Sequence, residues 1–329
     1  MADTSTVRIG LIGAGAMGSF HARALADLPG VDLAVIADPF EANATNLASE
    51  LGSTATTDPE AVAGDESLDA VVIASPDETH ADLAVASMNS GLRVLCEKPL
   101  ATTVADAQRV VDAEVAIGRR LLQIGFMREY DTAHRQVLEQ MQQMGPVHVV
   151  RSVHRNTNAE SRPDLAVIGQ SAIHDLHTLR WLSGQEIVSV QAHATRRSDG
   201  GLRHVLLTAT MSEHGHGVVE FDDNGFAYEV LVDVTTESGS VVTAPPLRPI
   251  VRTDARVQTT IGRDWFGWFA DAYRVQDRIW VDSIRGEAAV GPSAWDGLAA
   301  QIAVEASLAS IASGVTESVS LPTRPSLWG

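Results

Sequence analysis

The sequence predicts an α/β domain on a parallel sheet, followed by an α+β domain with a large, mostly antiparallel open sheet. Two observations carry the first half of that prediction. Up to Phe126, short apolar runs alternate with segments of helical spacing, the pattern of parallel strands covered by helices on both faces. The first apolar run also ends in Gly13-Ala14-Gly15-Ala16-Met17-Gly18, a tight glycine turn into an amphipathic segment. A third observation carries the second half. From Val147 onward, segments of alternating polarity replace the continuous runs, as expected for strands with one buried face. The expected domains are residues 1–127 and 128–329, with the final helices able to pack back on the first domain.

In chain order, Val7 to Ile12 is the first strand and Ala16 to Leu28 the first helix. Val31 to Asp38 is a second strand ending in a carboxylate. Glu41 to Leu51 has helical spacing. Asp58-Pro59-Glu60 reads as a helix start, with Asp as the cap and Pro in the first turn. Asp69 to Ser75 is a buried strand stopped by Pro76, and Glu78 to Asn89 is the next helix. Arg93 to Cys96 is a strand entering Glu97-Lys98-Pro99. Thr102 or Thr103 caps a helix through Ile117, and Leu121 to Phe126 closes the series.

In the second half, Val147 to His154 is a strand, and a loop rich in Arg, Asn and Pro runs from Arg155 to Pro163. Ser171 to Leu182 is a helix. Alternating strands are expected at Ile187–Thr195, Val205–Met211, Gly217–Phe221, Ala227–Thr235 and Gly239–Thr243. Pro245, Pro246 and Pro249 mark a loop. Helices at Trp265–Arg285 and Ala294–Ala312 end the chain.

The chain has 329 residues, of which 45% are hydrophobic and 20% charged, with a net charge of −18. That is ordinary for a globular protein of two domains. So acidic a surface disfavours nucleic acid and anionic membranes as partners. The single cysteine, Cys96, leaves no intrachain disulfide framework and no cysteine-rich metal site. Neither a secretory signal nor a long apolar run is evident, so a cytoplasmic location is expected. No metal is expected: His174 with His177 lacks a carboxylate or third histidine placed to complete a site, and His214 with His216 beside Glu213 reads as a polar strand edge near a turn.

The glycine turn carries the first chemistry. Gly13 permits the sharp exit from the strand, Gly15 lets a pyrophosphate approach the backbone, and Gly18 lets helix and strand pack closely. Free N–H groups at the helix start, including those at Ala16 and Met17, face phosphate. Asp38, twenty residues past Gly18, suits the ribose hydroxyls of NAD and repels the 2′-phosphate of NADP. Ligands of such sheets bind at the carboxyl ends of strands, where Ser75, Pro76, Lys98, Phe126 and Met127 lie. A lysine held there can hydrogen-bond a substrate hydroxyl and lower its pKa. Within Gln170–Leu182, helical spacing puts Ile173, Leu176, Leu179 or Arg180 and Leu182 on a packed side, and Gln170, His174 and His177 on another face. A histidine there suits proton removal near neutral pH.

These motifs resemble the glucose-fructose oxidoreductase/inositol dehydrogenase/MocA family. The resemblance covers nearly the whole chain: Gly13 to Gly18 with His21, Ser75-Pro76 with His80, Glu97-Lys98-Pro99, Gly125-Phe126-Met127-Arg128 with Tyr130-Asp131, His154-Arg155-Asn156 and Ile173-His174-Asp175. Asp282-Ser283-Ile284 and Gly291 to Gly297 are similar to its inositol dehydrogenase branch. The resemblance implies a Rossmann domain with NAD contacts that include Ser75, Pro76, His80, Glu97 and Lys98. It implies oxidation of a ring hydroxyl of a cyclitol or sugar. Lys98 would orient the hydroxyl and His174 would take its proton, with Met127, Arg128, His154, Asn156, His177 and Tyr228 holding substrate. It also implies a homodimer or homotetramer built on the C-terminal sheet. Two positions depart from the family: Gln170 and His177 stand where acids are usual. A neutral Gln170 can orient but supplies no charge to an imidazolium. A glycoside-cleaving enzyme that oxidises its sugar transiently, and a dinucleotide-binding regulator without catalysis, remain alternatives.

Overall fold

The computed structural model describes residues 6–243, 250–253, 256–259, 264–286 and 289–328. Pro245, Pro246 and Pro249, expected in a loop, lie outside the described residues. The chain divides into two compact units: Met1–Glu129 with Tyr273–Gln301 and Pro322–Gly329, and Tyr130–Ala272 with Ile302–Leu321.

The first unit alternates strand and helix: β1 Val7–Ile12, α1 Ala16–Ala26, β2 Val31–Ala37, α2 Glu41–Leu51, β3 Thr54–Thr56, α3 Pro59–Ala63, β4 Ala70–Ile73, α4 His80–Asn89, β5 Arg93–Cys96, α5 Val104–Ile117 and β6 Leu122–Ile124. The six strands lie in the order β3-β2-β1-β4-β5-β6, and every pair is parallel. The order reverses between β1 and β4, the position at which such sheets open a ligand crevice. The central strands are apolar because both faces are covered; all four residues of β4 are buried. The expected caps form. Asp58 accepts from the Ala61 N–H at 3.0 Å, and Thr103 accepts from the Asp106 N–H at 3.1 Å.

The second unit opens with α6 Thr132–Met141 and continues through β7 Val147–Thr157, α7 Asp164–Val167, a π-helical turn Ile168–Ala172 and α8 Ile173–Ser183. Strands β8 Ile187–Arg196, β9 Leu202–Met211, β10 His216–Asp222, β11 Asn224–Thr236 and β12 Ser240–Val242 follow, then the hairpin β13 Ile250–Thr253 and β14 Arg256–Thr259. Helices α9 Trp265–Arg285 and α10 Ala294–Ser313, each divided between the two units, and the short β15 Glu317–Ser318 complete the chain's elements. A seven-stranded sheet has the order β12-β11-β7-β10-β9-β8-β15. Only β7 and β10 run parallel; the other neighbours are antiparallel. Helix α8 lies close over β10, because Gly217 has no Cβ; one there would come 2.4 Å from Leu179 Cδ1.

Three local expectations need correction. Strand β7 does not stop at His154 but runs on to Thr157. Arg155 looks like a loop residue, yet it pairs across the sheet with Glu220 at 3.0 Å and with Glu229. Cross-strand pairs of that kind suit a strand with one polar face. The helical stretch begins at Asp164 rather than Ser171, and reaches α8 through the π turn. Finally, α8 has no single packed side: from Ile173 to Leu182 only Trp181 is not buried.

Candidate active site

At the end of β1 the three glycines meet different demands. Gly13 has φ +97°, and a Cβ there would lie 2.5 Å from the Ala74 carbonyl oxygen. A Cβ on Gly18 would lie 1.7 Å from the Gly13 carbonyl oxygen. Both therefore answer to the protein's own packing. Among the described residues, nothing lies within 4 Å of a Cβ built on Gly15. The chain's own packing leaves that backbone open, as a dinucleotide lying on it would require. Gly15 is also the N-cap of α1, with no side-chain cap and no acid in the first turn, so no side chain of the helix's own first turn answers the positive end that begins at Ala16 and Met17.

Asp38 is buried at the end of β2. One carboxylate oxygen accepts from the Ala14 N–H at 2.8 Å, and the other from the Phe40 N–H at 2.9 Å. The carboxylate is thus tied to the glycine turn itself. At the end of β4, Ser75 Oγ lies 2.6 Å from Thr79 Oγ1, which in turn donates to the Pro76 carbonyl. The buried His80 directs its two ring nitrogens at the carbonyls of Pro99 (2.7 Å) and Ser75 (2.9 Å). It joins the loops after β4 and β5.

Lys98 is half-buried just beyond β5. Its backbone N–H donates to Glu97 Oε2 at 3.3 Å. Glu97 is buried, and its other oxygen accepts from Nε2 of His21 at 3.2 Å. Nδ1 of His21 donates to Asp277 on α9 at 2.9 Å. Burial works against a charged ring here, but Asp277 and Glu97 together outweigh it and push His21 up to about 10. Burial also raises the Asp277 carboxyl, and the imidazolium opposes that rise. Cys96, next in the chain, is a core thiol: burial pushes it well above its usual value, which leaves it unreactive. Met127 and Arg128 are both buried in a 3₁₀ turn after β6.

In the second unit, α8 places His174 and His177 at 7% and 2% exposure. Gln170 is exposed, within the π turn. Such expanded turns recur at functional sites, and this one removes the regular α-helical offset expected between Gln170 and His174. Asp175 points into the sheet. It accepts from Ser152 Oγ at 2.7 Å and from His154 Nδ1 at 2.8 Å. The His154 ring is walled by Phe221 and Tyr228, edge-on at 4.9 and 5.8 Å. Tyr228 also meets Trp268. Asn156 Nδ2 donates to Ser171 Oγ at 3.3 Å, as does Arg162 at 3.2 Å. Arg162 also pairs with the fully buried Asp223.

Residues 7–126 match the model of the GFO/IDH/MocA oxidoreductase family, NAD-binding Rossmann fold, and residues 134–244 match the GFO/IDH/MocA C-terminal domain. The chain belongs to this family. It is an oxidoreductase with an NAD-binding Rossmann domain. Inositol 2-dehydrogenase 3 of Saccharopolyspora erythraea is 36% identical over 98% of this chain and 98% of its own. Inositol 2-dehydrogenase/D-chiro-inositol 3-dehydrogenase of Shouchella clausii is 34% identical over 98% of this chain and 97% of its own. Among solved structures, the myo-inositol dehydrogenase of Lactobacillus casei in complex with NAD(H) and myo-inositol superposes with a TM-score of 0.93 at 29% identity, over 98% of this chain and 100% of that one. Among the described residues, no helix is long and apolar enough to cross a membrane.

Within the first unit the structure brings the glycine turn and Asp38 into direct contact, and joins Glu97, Lys98 and His21. Within the second it gathers His154, Tyr228 and Asp175, and separately Asn156 and Ser171. Sequence reasoning assigned no role to His21, Asp277 or Asp175. His21 had a usable signal: it lies on the side of α1 that carries the buried Gly18, Ala22 and Leu25, and a histidine on a core face requires polar partners.

Proposed function

We propose that the protein is an NAD-dependent dehydrogenase that oxidises a ring hydroxyl of a cyclitol or sugar, of the inositol type. One observation carries this reading beyond family membership. Lysine and arginine together number 24, and Lys98 is the only lysine among them. A chain that meets every other need for a cation with arginine keeps lysine at the end of β5. Arginine stays charged, whereas an ammonium can give up and regain a proton. The choice of side chain there follows proton chemistry rather than charge alone.

In this reading Lys98 hydrogen-bonds the reacting hydroxyl and lowers its pKa. His174 takes the proton, and Gln170 and His177 help to hold the substrate or the ring. Bound NAD would accept the hydride from the ring carbon. The dinucleotide's phosphates would lie on the open backbone at Gly15, Ala16 and Met17. The carboxylate of Asp38 favours free ribose hydroxyls over a 2′-phosphate, which supports NAD rather than NADP. His154, Asn156, Tyr228, Met127 and Arg128 would meet the remaining hydroxyls; a polyhydroxylated ring needs such a set of donors and acceptors. Self-association through the C-terminal sheet belongs to the same reading, and light scattering would measure it.

The test is NADH formation with myo-inositol, scyllo-inositol, D-chiro-inositol and a set of pyranoses and glycosides, with the products analysed in parallel. Steady NADH release with a polyol, abolished by Lys98→Ala, is the expected result. Release of an aglycone without NADH accumulation would mean glycoside cleavage instead. Tight NAD binding with no turnover of any compound would leave a regulator.

A further inference from the structure

We propose that the buried chain Asp277–His21–Glu97 positions Lys98, by locking the carboxylate that receives the Lys98 amide hydrogen. This rests on Lys98 being a catalytic residue, as proposed above.

With both acids ionised, the geometry allows one arrangement of protons. His21 has no exposed surface. Nδ1 lies 2.9 and 3.0 Å from the two oxygens of Asp277, and Nε2 lies 3.2 Å from Glu97 Oε1. An ionised carboxylate only accepts, so an imidazole that meets one at each end must donate from both nitrogens. The ring is therefore an imidazolium gripped between two acids. Tyr273 and Phe20 stand edge-on to it at 5.9 and 6.3 Å and keep water from replacing either acid. The grip fixes Glu97 in rotation, which leaves Oε2 facing the Lys98 N–H.

The neighbouring strand end is cut to fit. A Cβ on Gly125, just past β6, would lie 2.6 Å from Glu97 Oε1. The backbone there is tied as well: Gly125 donates to the Cys96 carbonyl at 2.8 Å, and Glu97 donates to the Ile73 carbonyl at 2.9 Å. The ends of β4, β5 and β6 thus converge on the Glu97 carboxylate and its neighbouring peptide. His21 also belongs to α1, three residues after Gly18. One ion cluster therefore sets the glycine turn's helix and the lysine at a fixed separation.

Stability alone is a poor reason for such a cluster. Replacing a buried ion triad by apolar side chains of similar volume is often neutral or stabilising. Holding one backbone geometry is a use for which charged, directional contacts serve and apolar packing does not.

The experiment uses the full chain and compares Glu97→Ala, Glu97→Gln, Asp277→Asn and Lys98→Ala. It measures kcat on myo-inositol, the NAD dissociation constant, Tm, and the rate at which an amine-reactive ester labels Lys98, read by peptide mass spectrometry. With one lysine in the chain, that labelling has a single side-chain target. Glu97→Ala is expected to lower kcat at least thirtyfold and to change the Lys98 labelling rate at least threefold. Glu97→Gln keeps an oxygen for the Lys98 N–H and is expected to recover at least tenfold of the lost kcat. If Glu97→Ala does not fold, Asp277→Asn takes its place, with an expected kcat loss of about tenfold and the same shift in labelling. Normal kcat and labelling in the variant, with Lys98→Ala inactive, would overturn the positioning role alone. Full activity in Lys98→Ala would overturn the reading beneath it.

Discussion

Asp175 accepts a hydrogen bond from Nδ1 of His154 at 2.8 Å while its other oxygen accepts from Ser152 at 2.7 Å. A carboxylate facing Nδ1 selects the tautomer with its proton on that nitrogen, so the neutral ring presents Nε2 as an acceptor. A substrate hydroxyl donates to an acceptor of that kind. Asn at position 175 offers one oxygen and one NH₂, and cannot accept from both partners as the carboxylate does. A hydrogen bond to a charged group contributes about 1.5–3 kcal/mol. Asp175→Asn should therefore lower kcat/KM for the polyol by about ten- to a hundredfold, with NAD affinity unchanged. Steady-state kinetics beside an NAD titration checks this. An unaltered kcat/KM would show that the His154 tautomer does not matter to turnover.

The three glycines of the turn separate folding from cofactor binding. A Cβ at Gly18 would sit 1.7 Å from a carbonyl oxygen, whereas one at Gly15 meets no atom of the described residues within 4 Å. Gly18→Ala should destabilise the fold by about 1–3 kcal/mol, as overpacking does, and lower Tm by roughly 5 °C. Gly15→Ala should leave Tm unchanged and, with the pyrophosphate placed on that backbone as proposed, weaken NAD by at least about tenfold. Calorimetry of unfolding and of NAD binding gives both numbers. Equal NAD affinity in wild type and Gly15→Ala would mean that the dinucleotide does not approach that backbone.

Much of the first unit was legible because its strands are buried on both faces, so apolar runs, glycines and caps all point the same way. The second unit concealed more. Arg155 and Asn156 read as loop because their polarity hides a strand whose charges are met by Glu220 and Glu229 on neighbouring strands. Helix α6 went unassigned, although Asp131 caps it and Val137 and Met141 are buried; its polar composition masked the period. The π turn at Ile168–Ala172 leaves no mark in a 3.6-residue pattern. Residue types near the site were readable, but their partnerships were not. Asp277 lies 256 positions from His21, and no local rule joins them.

His21 gives stability a definite dependence on pH. Its folded value is raised to about 10, above the ordinary value of about 6.5 in an unfolded chain. The stabilisation is therefore complete below pH 6.5 and is lost as pH rises towards 10. Wild-type Tm should fall steadily between about pH 7 and pH 10. In His21→Gln the same interval should show a shallower slope, from a lower starting Tm. The difference between the two slopes isolates His21 from lysine and tyrosine titration. Parallel slopes would show that the ring is neutral in the folded protein.

Gln170 tests how the proton acceptor works. It is exposed in the π turn that leads into α8, four residues before the buried His174. Gln170→Asp introduces a negative charge without adding bulk. If His174 is the base, a carboxylate that faces the ring stabilises the imidazolium formed when it takes a proton, so the base becomes stronger. Two results should follow together. Turnover of myo-inositol should rise about tenfold, and the acid limb of the kcat profile should move to higher pH, because a stronger base stays protonated to higher pH. The shift should shrink as salt is added, since Gln170 is exposed. A gain in turnover without movement of the limb would place the new carboxylate on the substrate rather than on His174. A limb that moves without any gain would mean that proton removal does not limit the reaction. Loss of activity on the preferred polyol would show that the neutral amide is itself a substrate contact, and would assign the departure at Gln170 to specificity.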